Sequence, residues 1–180
     1  MNLRIDSTEP VSAVSKPEVE AKTERLDLML LRQQHTDVLR RDFAVFTEQF
    51  GFSVAEGAVV LQPESKDAMV AAEWDSFLVI GRADQAVVGM CGCRKAPDAE
   101  GAVEIAYGIA PGFQGRGLAT EAAQALVKRA FLRDDVKTVI AHTLREHNAS
   151  TRVLTKCGFE RTGEAMDPDE GVVWKWALVR

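Results

Sequence analysis

Six consecutive residues, Gln114-Gly115-Arg116-Gly117-Leu118-Ala119, stand where a strand pattern hands over to a helix pattern, and their chemistry is that of an anion site. The first N–H groups of a helix have no intrahelical acceptor, and that end of the helix carries about half a positive charge. Gly115 and Gly117 let a phosphate reach the backbone without meeting a Cβ, and Arg116 adds a cation at the rim. A pyrophosphate is the ligand such a loop suits; a glycine-rich turn that only starts a helix is the plainer alternative. Gly115-x-Gly117-x-x-Thr120 also follows the dinucleotide fingerprint up to its last position, where Thr120 replaces the required small residue. The repeated strand–helix–strand units of that fold are missing from the chain around it. Cys91-Gly92-Cys93 lacks the two-residue spacer of a metal-binding pair and has no histidine cluster beside it, so no metal is expected.

The elements that must position this loop follow from periodicity. Arg25 to Leu31 alternates and then turns apolar, which predicts a first strand. Thr36 and Asp37 are placed to cap a helix carrying Val38, Leu39, Phe43 and Phe46, and a second helical segment is expected between Glu64 and Trp74. Phe77 to Arg82 and Val87 to Cys93, joined by Ala83-Asp84-Gln85-Ala86, read as a hairpin. Val103 to Ala110 is a third strand of the group, ended by Pro111-Gly112. Leu118, Ala122, Ala123, Leu126, Val127 and Ala130 recur at helical spacing after it. A strand from Val136 to Thr143, a helix from Ala149 to Lys156 and two strands, Arg161 to Met166 and Val172 to Val179, complete the pattern. Trp174 and Trp176 share one face of the last strand and read as core or sheet cover, with a substrate platform as the alternative. The order is that of an α+β domain in which a right-handed crossover pairs the Val103 and Val136 strands in parallel.

Composition narrows the function classes. A chain of 180 residues suits one domain, here residues 23–180, with residues 1–22 as a flexible N-terminal arm. A net charge of −5 argues against a nucleic-acid partner, whose phosphates demand Lys and Arg. No apolar run approaches the roughly 18 to 20 residues of a membrane span, and the first 22 residues lack the basic-then-apolar order of a secretory signal. Three scattered cysteines fit buried thiols in a reducing compartment, so a cytoplasmic location is expected, as monomer or homodimer.

The loop, written Gln114-x-x-Gly117-x-Ala119, resembles the Q/R-x-x-G-x-G/A loop of the GNAT superfamily of N-acetyltransferases. Glu104-Ile105-Ala106-Tyr107-Gly108-Ile109-Ala110-Pro111, Ala119-Thr120-Glu121-Ala122, Ala141-His142-Thr143 and the run from Ser150 to Phe159 are similar to its RimJ/RimL branch. That branch holds ribosomal-protein N-terminal acetyltransferases and many small-substrate relatives, and the likeness extends over about residues 23 to 178. The resemblance implies a mixed, mostly antiparallel twisted sheet of six to seven strands, helices on both faces and a splayed parallel pair. It implies acetyl-CoA as co-substrate, an amine acceptor, and pantetheine bonded to the backbone of Tyr107, Gly108 and Ile109. The pyrophosphate would lie on the segment Gln114, Gly115, Arg116, Gly117, Leu118, Ala119 and Thr120. Asn148 is the implied further cofactor contact, although His147-Asn148-Ala149-Ser150 sets the Asn one residue closer to the Ser than the family's N-x-x-S spacing.

Acetyl transfer to nitrogen needs a neutral amine, a place for negative charge on the thioester oxygen and a proton for the departing thiolate. Freeing an α-amine at pH 7 costs about 1.4 kcal/mol and a lysine amine about 4.6 kcal/mol, so an α-amine needs only a modest base. Glu104 is the preferred base, acting through water, with a strand-anchoring carboxylate as its other reading; His142 is the second candidate. The backbone N–H of Ile109 or its neighbour is placed to hold the oxygen. Many members protonate the thiolate with a helix Tyr. The only Tyr here is Tyr107, on a strand, and the resemblance offers Ser150 instead, with helix capping as its alternative. A rival function from another class is a catalytically weak acyl-CoA-binding sensor or interaction module.

Overall fold

The structure, a computed structural model, describes residues 15–58 and 76–180. Nine strands in these residues form one sheet, in the spatial order β1-β2-β4-β5-β6-β7-β9-β8 with β3 off this path against β5. They are β1 (Val19–Lys22), β2 (Leu26–Leu30), β3 (Ser53–Val54), β4 (Ser76–Gly81), β5 (Ala86–Cys93), β6 (Ala102–Ile109), β7 (Thr138–Leu144), β8 (Glu160–Asp167) and β9 (Gly171–Val179). The helices are α1 (Gln33–Arg41), α2 (Phe43–Phe50), α3 (Leu118–Ala130) and α4 (Ala149–Lys156). The expected α+β architecture is present, with β6 and β7 parallel.

Three expectations need correction. The count of six to seven strands was too low, because β1 and the two-residue β3 were not foreseen. β1 lies inside the segment assigned to the flexible arm; there Val19, Ala21 and Lys22 pair antiparallel with β2, whose edge would otherwise be open. The helix expected from Thr36 onward is two helices. Asp42 adopts an extended backbone, φ −167°, and its carboxylate accepts the N–H of Ala44 at 2.7 Å, so it ends α1 and caps α2. The helical segment expected between Glu64 and Trp74 lies outside the described residues.

Strand alternation divides the core into two layers. Leu26, Leu28, Phe77, Val79, Val103, Ile105 and Val139 bury one face against α3 and α4. Met29, Leu78, Ile80, Val87 and Met90 bury the other against Val38, Leu39, Phe46 and Phe50 of α1 and α2. Trp176 belongs to the α3 layer of the core and donates its indole N–H to Thr143 at 3.0 Å, in keeping with its reading as core or sheet cover. Among the described residues no helix is long and apolar enough to cross a membrane.

Candidate active site

The parallel ladder between β6 and β7 is short, running from Ala102↔Thr138 to Glu104↔Ile140. Beyond Glu104 the strands part. What β6 offers into the gap follows from its antiparallel pairing with β5, which keeps one register from Cys93↔Ile105 to Gly89↔Ile109. Arg94 N–H bonds to Glu104 C=O at 2.8 Å at one end of that register, and Ala110 N–H to Val88 C=O at 2.8 Å at the other. Residues 104, 106, 108 and 110 therefore turn their polar backbone groups to β5, and Tyr107 and Ile109 turn theirs to the gap. Gly108, expected to bond pantetheine, instead faces Met90 and contributes room: a Cβ built there meets nothing within 4 Å.

The chain leaves β6 through a 3-10 turn over Pro111–Phe113 and enters the loop. Gln114 donates its side-chain amide to Ile109 C=O at 2.9 Å, which ties the loop back to the strand. Arg116 folds outward, its guanidinium on Gly112 C=O at 2.9 Å and over the Phe113 ring at 4.9 Å. Gly115 and Gly117 have φ of +75° and +79°, a region that side chains other than glycine enter at a cost of about 1–2 kcal/mol. The first backbone bond of α3 runs from Glu121 N–H to Gly117 C=O at 3.1 Å, which leaves Leu118, Ala119 and Thr120 N–H at the head of the helix for a ligand. Leu118 itself is buried, so only its backbone is on offer.

A cleft of about 420 Å³ joins these parts, bounded by Tyr107, Gly115, Gly117, Thr120, Ser150 and Lys156 among others. Arg152 and Lys156, one helical turn apart on α4, add two cations that the sequence reading did not single out. Their spacing of four on a helix facing the loop was the available signal. Cys157 is half-buried, with its thiol directed at Thr120 C=O, and burial pushes the thiol up in pKa.

Ser150 lines this cleft and is not the helix cap. Asn148 is: its side-chain oxygen accepts Thr151 N–H at 3.1 Å, and Thr151 Oγ1 accepts Asn148 N–H at 3.1 Å. The one-residue shift in the motif has moved Asn148 into the capping position. Asn148→Ala should therefore cost about 1 kcal/mol, or some 2–4 °C in melting temperature, while Asn148→Asp keeps it. Thermal unfolding of the two variants checks this; equal stability of Ala and Asn would remove the cap assignment.

Tyr107 crosses the gap in the same region. Its hydroxyl donates to the Ser150 carbonyl at 3.4 Å, and burial holds its pKa above the ordinary phenol range despite that bond. The proton stays on the oxygen, inside the cleft.

Glu104 and His142, separate candidates in the sequence, are brought together. His142 Nδ1 lies 3.0 Å from Glu104 Oε1, and Arg94 Nε is 3.4 Å from the same oxygen. All three are partly exposed. By alternation with Val103, Ile105 and Ala141, which pack toward α3, both Glu104 and His142 lie on the opposite face of the sheet. Asp167, at the end of β8, is close enough to Arg94 and His142 to feel their charge. Its pKa is held down first by the N–H groups of Glu170 and Asp169, then by the Arg94 guanidinium and by the His142 imidazole when that carries a proton. The arrangement puts a glycine-rich loop and a helix head with free N–H groups on one side of a gap in the sheet and a carboxylate–imidazole pair on the other.

Comparison with known proteins agrees with this fold. A family model described as acetyltransferase (GNAT) domain matches residues 23–160. The uncharacterized N-acetyltransferase YjdG of Bacillus subtilis is 29% identical over 86 residues, which are 48% of this chain and 51% of YjdG, so the match spans about half of that relative. The uncharacterized N-acetyltransferase p20 of Bacillus licheniformis is 24% identical over 150 residues, 81% of this chain and 84% of p20. Among solved structures, the ribosomal L7/L12 alpha-N-protein acetyltransferase RimL in complex with coenzyme A superimposes with a TM-score of 0.64. It is 16% identical, over 90% of this chain and 98% of that one, a likeness of fold.

Proposed function

The chain belongs to the GNAT acetyltransferase family, and we propose that it transfers the acetyl group of acetyl-CoA directly to a primary amine in a ternary complex. The observation that carries this reading is the continuity of one surface. The open edge of β6 at Tyr107 and Ile109 leads without interruption into the Gly115–Gly117 loop and the head of α3. Acetyl-CoA would bring an activated thioester on a long amide arm ending in a pyrophosphate. Tyr107 and Ile109 offer strand-like hydrogen bonds to the arm, and the loop offers unpaired N–H groups to the diphosphate. Gly115 leaves the approach clear, because a Cβ there has no neighbour within 4 Å. Arg152 and Lys156 supply positive charge beside it.

The residues divide the remaining work by face. A neutral His142 that donates Nδ1–H to Glu104 keeps its Nε2 lone pair free, so His142 is the proton acceptor and Glu104 orients it and stabilises the imidazolium. This revises the preference for Glu104 as base. The N–H of Tyr107 or Ile109 is the donor for charge developing on the thioester oxygen. Ser150 Oγ is the proposed proton source for the thiolate, with the Tyr107 phenol in the same cleft.

The acceptor is either a protein N-terminus, as the RimJ/RimL-like features suggest, or a small amine. Thiol release from acetyl-CoA in the presence of N-terminal peptides and amines tests the reading. Turnover on at least one acceptor is expected; tight coenzyme A binding without turnover on any of them would select the sensor reading instead.

A further inference from the structure

The turn between β1 and β2 grips the loop from outside. Arg25 Nε and Nη2 each lie 2.7 Å from Glu121 Oε2, and Arg25 Nη1 donates to the carbonyl of Arg116 at 2.8 Å. Arg25 N–H donates to Glu121 Oε1 at 2.8 Å, and the Thr23 hydroxyl donates to the same oxygen. The turn is itself held by β4. Arg82 N–H bonds to Arg25 C=O at 3.1 Å, and the Arg82 guanidinium reaches the carbonyls of Thr23 and Leu26.

Two consequences follow for the loop. In a trans peptide the C=O and the next N–H point in opposite directions. Drawing Arg116 C=O toward Arg25 therefore sends Gly117 N–H away from the β1–β2 turn and fixes its direction. A lone Arg116–Gly117 peptide could flip, since its rotation turns on ψ of Arg116 and on φ of Gly117, and glycine has wide φ freedom. The second consequence is electrostatic. Glu121 lies in the first turn of α3, where an unpaired carboxylate would oppose an anionic ligand. Burial alone would raise its pKa, but the hydrogen bonds from Thr23 and Arg25 and the charge of Arg25 outweigh this and hold it low. It remains ionised and bonded, with only 14% of its side chain exposed.

We propose that Arg25 and Glu121, seated by Thr23, are positioning residues that set the orientation of the 116–117 peptide and thereby the affinity for acyl donors carrying a pyrophosphate. This rests on the assignment of the loop to the pyrophosphate of acetyl-CoA. Neither residue is near the Glu104–His142 pair, so the device acts on donor binding and leaves proton transfer alone.

The test compares coenzyme A affinity by calorimetry with kinetics on two donors, acetyl-CoA and S-acetylpantetheine, which lacks the pyrophosphate. Arg25→Lys and Glu121→Gln should each weaken coenzyme A binding about 10-fold and raise the KM for acetyl-CoA to match. Rates with S-acetylpantetheine should stay within twofold of the parent. Glu121→Gln gives the sharper sign: removing a carboxylate near an anion site would tighten binding if only the field mattered, whereas loss of the strut weakens it. Tighter or unchanged binding in Glu121→Gln overturns the proposal, as does an equal loss with both donors. A parent protein that binds no coenzyme A would instead refute the loop assignment beneath it.

Discussion

Gly117→Val should raise the dissociation constant for coenzyme A by about 100-fold or more while leaving a folded protein. The backbone at 117 has φ of +79°, which a β-branched residue adopts only under strain. A Cβ there would touch nothing of the protein closer than Arg25 Nη2, at 3.5 Å, so the substitution does not overpack a core. The cost falls on the ligand. Relieving that strain turns the 116–117 peptide and the N–H groups that follow it at the head of α3, where charge-assisted hydrogen bonds are worth about 1.5–3 kcal/mol each. Loss of two such bonds amounts to about 3–6 kcal/mol, and each 1.4 kcal/mol is tenfold in affinity. Gly112→Ala is the control: its φ is ordinary and a Cβ meets nothing within 4 Å, so binding should be unchanged. Calorimetric titration of coenzyme A into both variants, with melting temperatures alongside, decides the matter. Affinity of Gly117→Val within threefold of the parent would remove the loop from the binding site.

This site was legible in the sequence to the extent that its chemistry is local. A glycine pair before an apolar helix period reports an unusual backbone and a free helix head within ten residues, and both are found at Gly115, Gly117 and Leu118–Ala130. The β4–β5 hairpin and α4 are local in the same sense. What the sequence concealed depends on contacts between distant segments. Arg25 and Glu121 are 96 positions apart and meet only because β2 pairs with β4 and α3 lies across that part of the sheet. Glu104 and His142 stood as competitors because nothing in either strand states the register of a parallel crossover, and that register makes them partners. Short-range hydrogen bonding misled in another way. Asn148 matched a ligand-contact motif with a one-residue offset, and the offset decided that its side chain serves the helix. At the α1–α2 break, a continuous apolar period hid Asp42, whose carboxylate competes for the backbone more strongly than the period predicts.

His142→Gln should lower kcat by about 100-fold to 10,000-fold, the range associated with a positioned general base, while leaving the KM for acetyl-CoA near its original value. The split follows from placement, since His142 and Glu104 lie on the face of the sheet opposite α3. Glu104→Gln should cost less on its own, because the imidazole remains and loses only its orienting acceptor. The double variant should be no slower than His142→Gln, as expected of residues that act as a unit. The pH dependence carries the decisive sign. A base matters while the acceptor amine is protonated and ceases to matter once solvent has already freed it. The ratio of parent to His142→Gln rates should therefore shrink as pH rises toward the pKa of the amine, and at pH 7 it should be larger for a lysine-type amine than for an α-amine. The charges that surround the imidazole are Glu104 on β6, Arg94 after β5, Asp167 on β8 and Lys175, which lies opposite His142 on β9. A loss of rate that is the same at every pH and for both amine types would make the pair a strand anchor. Its effect would then appear in thermal stability, through the Arg94–Glu104–His142 contacts that tie β5, β6 and β7 together.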